Sequence, residues 1–370
     1  MKKSVLEKIK RRLKAKLGTA DQHLVIHDIR LKHKGHVTEG RVLRTSHGDF
    51  ILKSPTTSDV LTLIEPERTM CAVLRSNRVS TSNAFVRSLG GFVVQPDGRL
   101  IDMPHLKEGA VSLTLMSYKS GSVSLAELIR KKGRRKHLDP QLEGYIRDAA
   151  HYSARKHSGP LTAQNSTFTA RLQEPATLLR IRCRYVRAVR RKIDADIILE
   201  NGPPAYLTEE ELHEANALCL TRSLELLKRT GEECPIDGDL TPWNLLFPPE
   251  YWLQNERNNN DTVFVVDTGS VQMGGPALDV GRLIAYFIGA FFASDGRLLY
   301  RELAETYLRY YTEERANPNI LESMPLPYWR VVLFTLNERK GLLGFKTTEQ
   351  IRAFAQHGLE VLRRGAFFMP

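Results

Sequence analysis

Cysteine is scarce: four residues in 370, at positions 71, 183, 219 and 234. No two of them stand in a Cys-x-x-Cys spacing. That excludes a zinc ribbon and a dense disulfide framework and leaves reduced, buried thiols as the expectation. Long apolar runs are missing too. The longest, residues 283–293, has the length of a core helix and falls short of the ~18 residues a membrane span needs. The basic N-terminus lacks the apolar segment of a signal peptide, so the expected compartment is the cytoplasm. Acidic residues are outnumbered, 42 against 54 Lys and Arg, for a formal net charge of +12. This excess favours anionic partners: a nucleotide, a phosphorylated compound or a membrane surface. No finger, basic zipper or aromatic-basic strand signature is present, so nucleic acid is not an expected partner. What remains is an ordinary globular composition, 42% apolar and 26% charged, in a chain long enough for two lobes.

The chemistry is concentrated in residues 236–247, Ile-Asp-Gly-Asp-Leu-Thr-Pro-Trp-Asn-Leu-Leu-Phe. Asp239 is followed five positions later by Asn244, and the apolar run 245–247 reads as a short buried strand. A second apolar run, Val263-Phe264-Val265-Val266, leads into Asp267 and then Thr268-Gly269. The Pro-, Asn- and Asp-rich residues 248–261 would join the two strands as a hairpin. Its entry and exit then hold Asp239, Asn244 and Asp267 close together. Such hard oxygen donors suit Mg²⁺, which binds through one or two protein oxygens together with substrate phosphates.

This arrangement resembles the catalytic loop and metal segment of kinase-like phosphotransferases, where a catalytic Asp is followed by Asn and then by a metal-binding Asp. Gly238 precedes Asp239 and no Asp-Phe-Gly stands at Asp267. In both respects the chain is similar to the aminoglycoside phosphotransferase and choline kinase branch. That branch reads His-Gly-Asp, four residues, Asn, then an Ile-Asp-Trp-like segment. Asp279-Val280-Gly281 after Pro276 resembles its later Asp-Leu-Ala. One departure stands out: Asp237 occupies the position of the family's His, which packs against and braces the loop. The change bears on loop geometry more than on chemistry. The resemblance extends over residues 30–290 and is strongest at 237–247 and 263–279. It implies an α+β, bilobal, protein-kinase-like fold. A basic helix would occupy residues 1–19 and an N-lobe with a small antiparallel sheet residues 20–117. A mainly helical C-lobe with catalytic loop and acceptor site would occupy residues 118–370.

The rest of the chain supplies the other parts in order. Residues 2–17 set Val5, Leu6, Ile9, Leu13 and Leu17 on one helical face, and Gly18 ends the pattern. A helix strapped to the small lobe with a solvated cationic face is the preferred reading, and weak contact with anionic lipid headgroups is the alternative. Residues 24–26, 41–44 and 50–53 read as strands, with Lys34 to Gly40 in the first turn. Residues 56–59 precede a helical stretch that ends near residue 76, with Glu67 ahead of Met70, Cys71, Val73 and Leu74 on a buried face. Residues 92–94 and 100–101 make a hairpin, and a strand from Ser112 leads into a helix from Leu125. Helical patterns follow at 142–156, 175–193, 208–229, 279–293, 298–312, 328–336 and 348–364. The second of these is rich in arginine between Arg180 and Lys192. A solvated face is its preferred reading, and contact with an anionic acceptor the alternative.

The resemblance assigns roles to these residues. Asp239 would accept or orient the proton of an acceptor hydroxyl, and Asn244 and Asp267 would hold Mg²⁺. Lys53 would grip the ATP phosphates, with Glu67 as its acidic partner and Glu65 still open. Backbone amides around Gly35 would cover the phosphates. Backbone groups from Met116 to Tyr118 would meet the adenine. Asp279 would bond backbone near the catalytic loop, which Pro242 and Trp243 would brace by packing. The implied activity is ATP-dependent transfer of the γ-phosphate to a hydroxyl of a sugar, amino sugar or amino alcohol. Two alternatives stand beside it. A catalytically weak nucleotide-binding scaffold is suggested by Asp237 and the glycine-poor loop, against the joint presence of Lys53, Asp239, Asn244 and Asp267. A protein Ser/Thr kinase is disfavoured because no Asp-Phe-Gly to Ala-Pro-Glu segment follows Asp267.

Overall fold

A computed structural model describes residues 7, 8, 11, 27–30, 38–45, 48–55, 88–94, 100–101, 111–118, 121–132, 136–158, 206–228, 234–247, 263–265, 272–315, 319–338 and 343–370. The chain divides into two units. The first comprises Met1–Arg75, Ser80–Ser122 and Pro248–Ser270; the second comprises Ser76–Val79, Val123–Phe247 and Val271–Pro370.

The first unit holds a six-stranded antiparallel sheet. Its strands are β1 (His27–Arg30), β2 (Thr38–Thr45), β3 (Gly48–Pro55), β4 (Ser88–Val94), β5 (Leu100–Ile101) and β6 (Val111–Tyr118). They lie in the order β1-β2-β3-β6-β4-β5. The β2–β3 register runs down to Thr45 opposite Gly48, so two residues separate the strands, the spacing of a tight hairpin. In that register Val42 stands opposite Ile51 and Leu43 opposite Phe50, residue types most of which favour strands. β6 lies between β3 and β4, and its pairing with β4 shifts register between Ser88 and Gly90, a bulge at a glycine. The hairpin expected at 92–94 and 100–101 is present, with Val93 opposite Ile101. Of the expected N-terminal helix, Glu7, Lys8 and Arg11 are described and are helical.

The second unit opens with β7 (Val123–Ser124), α1 (Leu125–Lys132), α2 (Pro140–Ser158) and α3 (Glu209–Lys228). Three short strands follow: β8 (Cys234–Ile236), β9 (Leu245–Phe247) and, assigned to the first unit, β10 (Phe264–Val265). After β11 (Gln272–Gly274) come α4 (Ala277–Ala293), α5 (Leu298–Glu314), α6 (Ile320–Ser323), α7 (Pro325–Glu338) and α8 (Thr348–Arg364). The core of this unit is built on α4. Leu283, Ile284, Ala285, Phe287 and Ile288 are all buried, because α5, α7 and α8 pack around this nearly all-apolar helix. α7 contributes Tyr328 and Trp329 to this core, and α8, packed on α7, contributes Ile351, Phe354, Ala355 and Leu359, with the Tyr328 and Phe354 rings in edge contact. Gly358 sits where a Cβ would come within 2.9 Å of the Trp329 ring and 2.8 Å of Val332, so the α7–α8 approach requires glycine there. α2 packs on α5 and on β8. Among the described residues no helix is long and apolar enough to cross a membrane.

Candidate active site

The segment between β8 and β9 is tied down at both ends. β8 pairs antiparallel with β11, Ile236 opposite Gln272, and β9 pairs with β7, Phe247 opposite Val123. The first turn of α1 adds a third tie, Ala126 N–H donating to the Pro242 carbonyl at 2.9 Å. Leu240 and Leu245 are fully buried and anchor the loop between these ties. Gly238 has φ 69°, in the left-handed region, which is why glycine precedes Asp239. Chain reversal at this point exposes the Asp239 carboxylate, whose side chain keeps 30% of its surface.

Asp239 and Asn244 come together as the spacing predicts. Asn244 Nδ2 donates to the Asp239 carbonyl at 2.9 Å and to its Oδ2 at 3.3 Å. On the other side Arg282, from α4, reaches Asp239 Oδ1 at 2.8 Å and the Gly238 carbonyl at 2.6 Å through the same Nη1. Arg282 was not anticipated. Its signal was helix phase: it follows Asp279 by three residues and so shares a face with it. Pro242 is buried, whereas Trp243 is 39% exposed and touches Tyr286 edge-on at 5.2 Å between centroids. The Tyr286 ring thus gives Trp243 a described packing partner.

Behind the loop lies a buried charged cluster. Asp279 Oδ2 accepts the Asp237 N–H at 2.7 Å and Oδ1 accepts the Gly238 N–H at 2.8 Å, which is the backbone-bracing role expected of it. The Lys156 ammonium, from α2, donates to Asp279 Oδ2 at 3.0 Å and to Asp237 Oδ2. Tyr152 OH also reaches Asp237, at 3.4 Å. His157 Nε2 faces Asp279 at 3.2 Å and its Nδ1 faces Tyr311 OH at 3.0 Å. Burial pushes the His157 pKa down to about 4, with the Lys156 charge adding to it against the Asp279 hydrogen bond. The ring is neutral, and since a carboxylate only accepts, Nε2–H donates to Asp279 while Nδ1 accepts from Tyr311.

Two carboxylates share one ammonium here. Burial raises both; Asp279, with two backbone donors, the Lys156 charge and His157, ends below the ordinary carboxylate range. Asp237 has fewer donors and lies beside the Asp279 charge, so burial leaves it raised to about 6. Lys156 is raised despite burial, because both carboxylates face it. Lys156 also went unanticipated. It lies on the core stripe of α2 with Leu142, Ile146, Ala149 and Ser153, a polar interruption of an inward face.

The other predicted site residues are placed as follows. Lys53 lies in β3, in register with Gly40 on β2 and Thr114 on β6. Met116 and Tyr118 lie in β6, opposite Ile51 and Asp49. Gly35, Glu67, Glu65, Asp267 and the arginine-rich residues 180–192 lie outside the described residues. Cys219 and Cys234 are buried, as expected, and burial pushes the Cys234 thiol up to about 12. Among the described residues no three His, Cys, Asp or Glu side chains group as a metal site.

The sequence matches no protein-family model and no curated protein. The fold does match. A structure titled a putative aminoglycoside phosphotransferase, from Ralstonia eutropha, covers 99% of this chain and 99% of its own at TM-score 0.60 and 13% identity. An ADP-bound aminoglycoside phosphotransferase covers 99% and 100% at TM-score 0.52 and 14% identity. An amicoumacin kinase in complex with AMP-PNP and Ca²⁺ covers 99% and 97% at TM-score 0.51 and 12% identity. The chain thus has the aminoglycoside phosphotransferase-like fold, helix-rich with a small antiparallel sheet, which the catalytic-loop residues had led us to expect.

Proposed function

We propose that this protein is an ATP-dependent phosphotransferase that moves the γ-phosphate to a hydroxyl of a small metabolite. The observation that carries the reading is the Asp239–Asn244 loop, held by Asp279 and Arg282, within a fold shared with kinases solved as ADP and AMP-PNP complexes. Phosphoryl transfer asks for an in-line nucleophile and positive charge around the transferred group, and little covalent chemistry. Asp239 receives or orients the acceptor's hydroxyl proton, and its partly exposed carboxylate can meet a bound alcohol. Arg282 and Asn244 fix the rotamer of that carboxylate. Because Asn244 Nδ2 is committed to the Asp239 carbonyl, its amide oxygen points the other way. That oxygen and the Asp267 carboxylate would be hard donors of the kind Mg²⁺ prefers. Mg²⁺ supplies positive charge to the nucleotide phosphates when bound. Lys53 would grip those phosphates with Glu67 as its partner, the backbone around Gly35 would cover them, and the backbone from Met116 to Tyr118 would meet the adenine. The acceptor is a sugar, amino sugar or amino alcohol.

The test joins binding to turnover. Millimolar Mg-ATP should raise the melting temperature, by mass action on the folded state. Asp239→Asn should keep that rise and lose ATP consumption with every hydroxyl acceptor in a neutral, cationic and anionic panel. Asp267→Ala should lose the Mg²⁺-dependent part of the rise. Absence of any nucleotide shift in the unaltered protein would remove the basis of the reading.

A further inference from the structure

We infer that Lys156 is a positioning residue for Asp239 and that it acts as one charge-coupled unit with Asp237 and Asp279. The catalytic role of Asp239 rests on the phosphotransferase reading; the coupling among the three buried groups does not. Lys156 has no exposed side-chain surface, and its ammonium is the point where α2, α4 and the catalytic loop meet. It bonds the side chain of Asp237 and the same Asp279 oxygen that accepts the Asp237 N–H. Asp279's other oxygen takes the N–H of Gly238, the left-handed residue that aims Asp239. One cation therefore holds the side chain of Asp237 and also Asp279, the carboxylate that accepts both the Asp237 and the Gly238 N–H. Where the resembled family has histidine, this chain has an acid at 237 and a buried lysine to meet it.

The charge count sets an asymmetry. With His157 neutral, the cluster holds two carboxylates and one ammonium. Removing the ammonium leaves two buried carboxylates side by side with no cation, which is strongly unfavourable unless one takes a proton or the loop moves out. Removing the charge of Asp237 leaves Lys156 and Asp279 as a balanced pair. Lys156→Met should therefore do much more damage than Asp237→Asn, and Asp237→Asn should partly repair Lys156→Met.

Four proteins decide it: the unaltered chain, Lys156→Met, Asp237→Asn and the double variant. Mg-ATP hydrolysis with water as acceptor, hydrogen exchange at the amides of residues 237 and 238, and melting temperature are read on each. Lys156→Met should lower kcat by about 100-fold with KM for Mg-ATP changed by less than about threefold, and should lose protection at those two amides. Asp237→Asn should stay within about tenfold of the unaltered kcat, and the double variant should recover about tenfold or more over Lys156→Met. Additive losses in the double variant, or equal damage from the two single substitutions, would overturn the inference. If Lys156→Met does not fold, the double variant still decides: a folded double with protected loop amides supports the coupling, and an unfolded one refutes it. Should the unaltered chain show no ATP turnover, the functional reading fails, while exchange and rescue still test the charge coupling.

Discussion

Asp239 is gripped from both sides, by an amide on its own loop and by a guanidinium on α4. The two grips differ in what the sequence shows of them. Asn244 is local, five residues along one loop, so its partnership can be read from spacing. Arg282 is 43 residues away and reaches the loop only because α4 packs beneath it. At this scale we predict that Arg282→Met lowers turnover by about 10²-fold, the size expected when a reacting group loses its orientation. Mg-ATP should still raise the melting temperature of this variant, since Arg282 bonds the loop and Asp239. A variant with normal kcat would show that Asn244 alone holds the carboxylate. Gly238→Ala tests the backbone in the same place. A Cβ at φ 69° costs about 1 kcal/mol or more, so both stability and turnover should fall together.

Among the elements, long periodic helices were the most legible. The pattern at 348–364 coincides with α8, and those at 208–229, 298–312 and 328–336 fall within two or three residues of α3, α5 and α7. α8 shows why: Thr347 caps it and Gln350 reaches back to complete the capping box, while Arg363 and Arg364 lie in its last turn. Start and stop are both written locally. β8 and β11 were not foreseen, because Cys-Pro-Ile and Gln-Met-Gly lack the apolar run that marks β9 and are strands through pairing with each other. Thr347→Ala should cost about 1 kcal/mol through loss of the cap, seen as a lower denaturation midpoint at unchanged m-value. Gly358→Leu should cost more than Thr347→Ala, because the added side chain meets the Trp329 ring and Val332 in a filled interface. Equal midpoints for the two variants would contradict the close α7–α8 approach.

For the whole molecule the buried titrating groups set a response to pH. His157 and His357 are both driven to about 4 by burial, from an ordinary value of 6.5. A lowered folded pKa favours folding above 6.5, and that contribution is lost as pH falls through about 4. Each can account for on the order of 3 kcal/mol. Asp237 runs the other way: raised from 3.8 to about 6, its contribution is full below 3.8 and lost as pH rises through 6. The melting temperature should therefore fall as pH drops from 6.5 to 4, with Asp237 offsetting part of the fall. Asp237→Asn removes the offset and should steepen the decline, whereas His357→Asn should flatten it. Melting curves at intervals across that window check both signs, and an Asp237→Asn profile parallel to the unaltered one would contradict the raised carboxyl.

What is local could be read from the residues directly: helix phase, caps, the strand-turn rhythm of β2 to β6, and the five-residue step from Asp239 to Asn244. These depend on φ, ψ preferences and side-chain periodicity within one or two turns of chain, so they survive without knowledge of the fold. Tertiary structure alone decided which distant side chains meet the loop. Lys156, 81 residues from Asp237, and Arg282, on the face of α4 below it, become partners only when α2 and α4 pack there. Burial then gives those partnerships their strength, because a charge taken from water must find its counter-charge within the core.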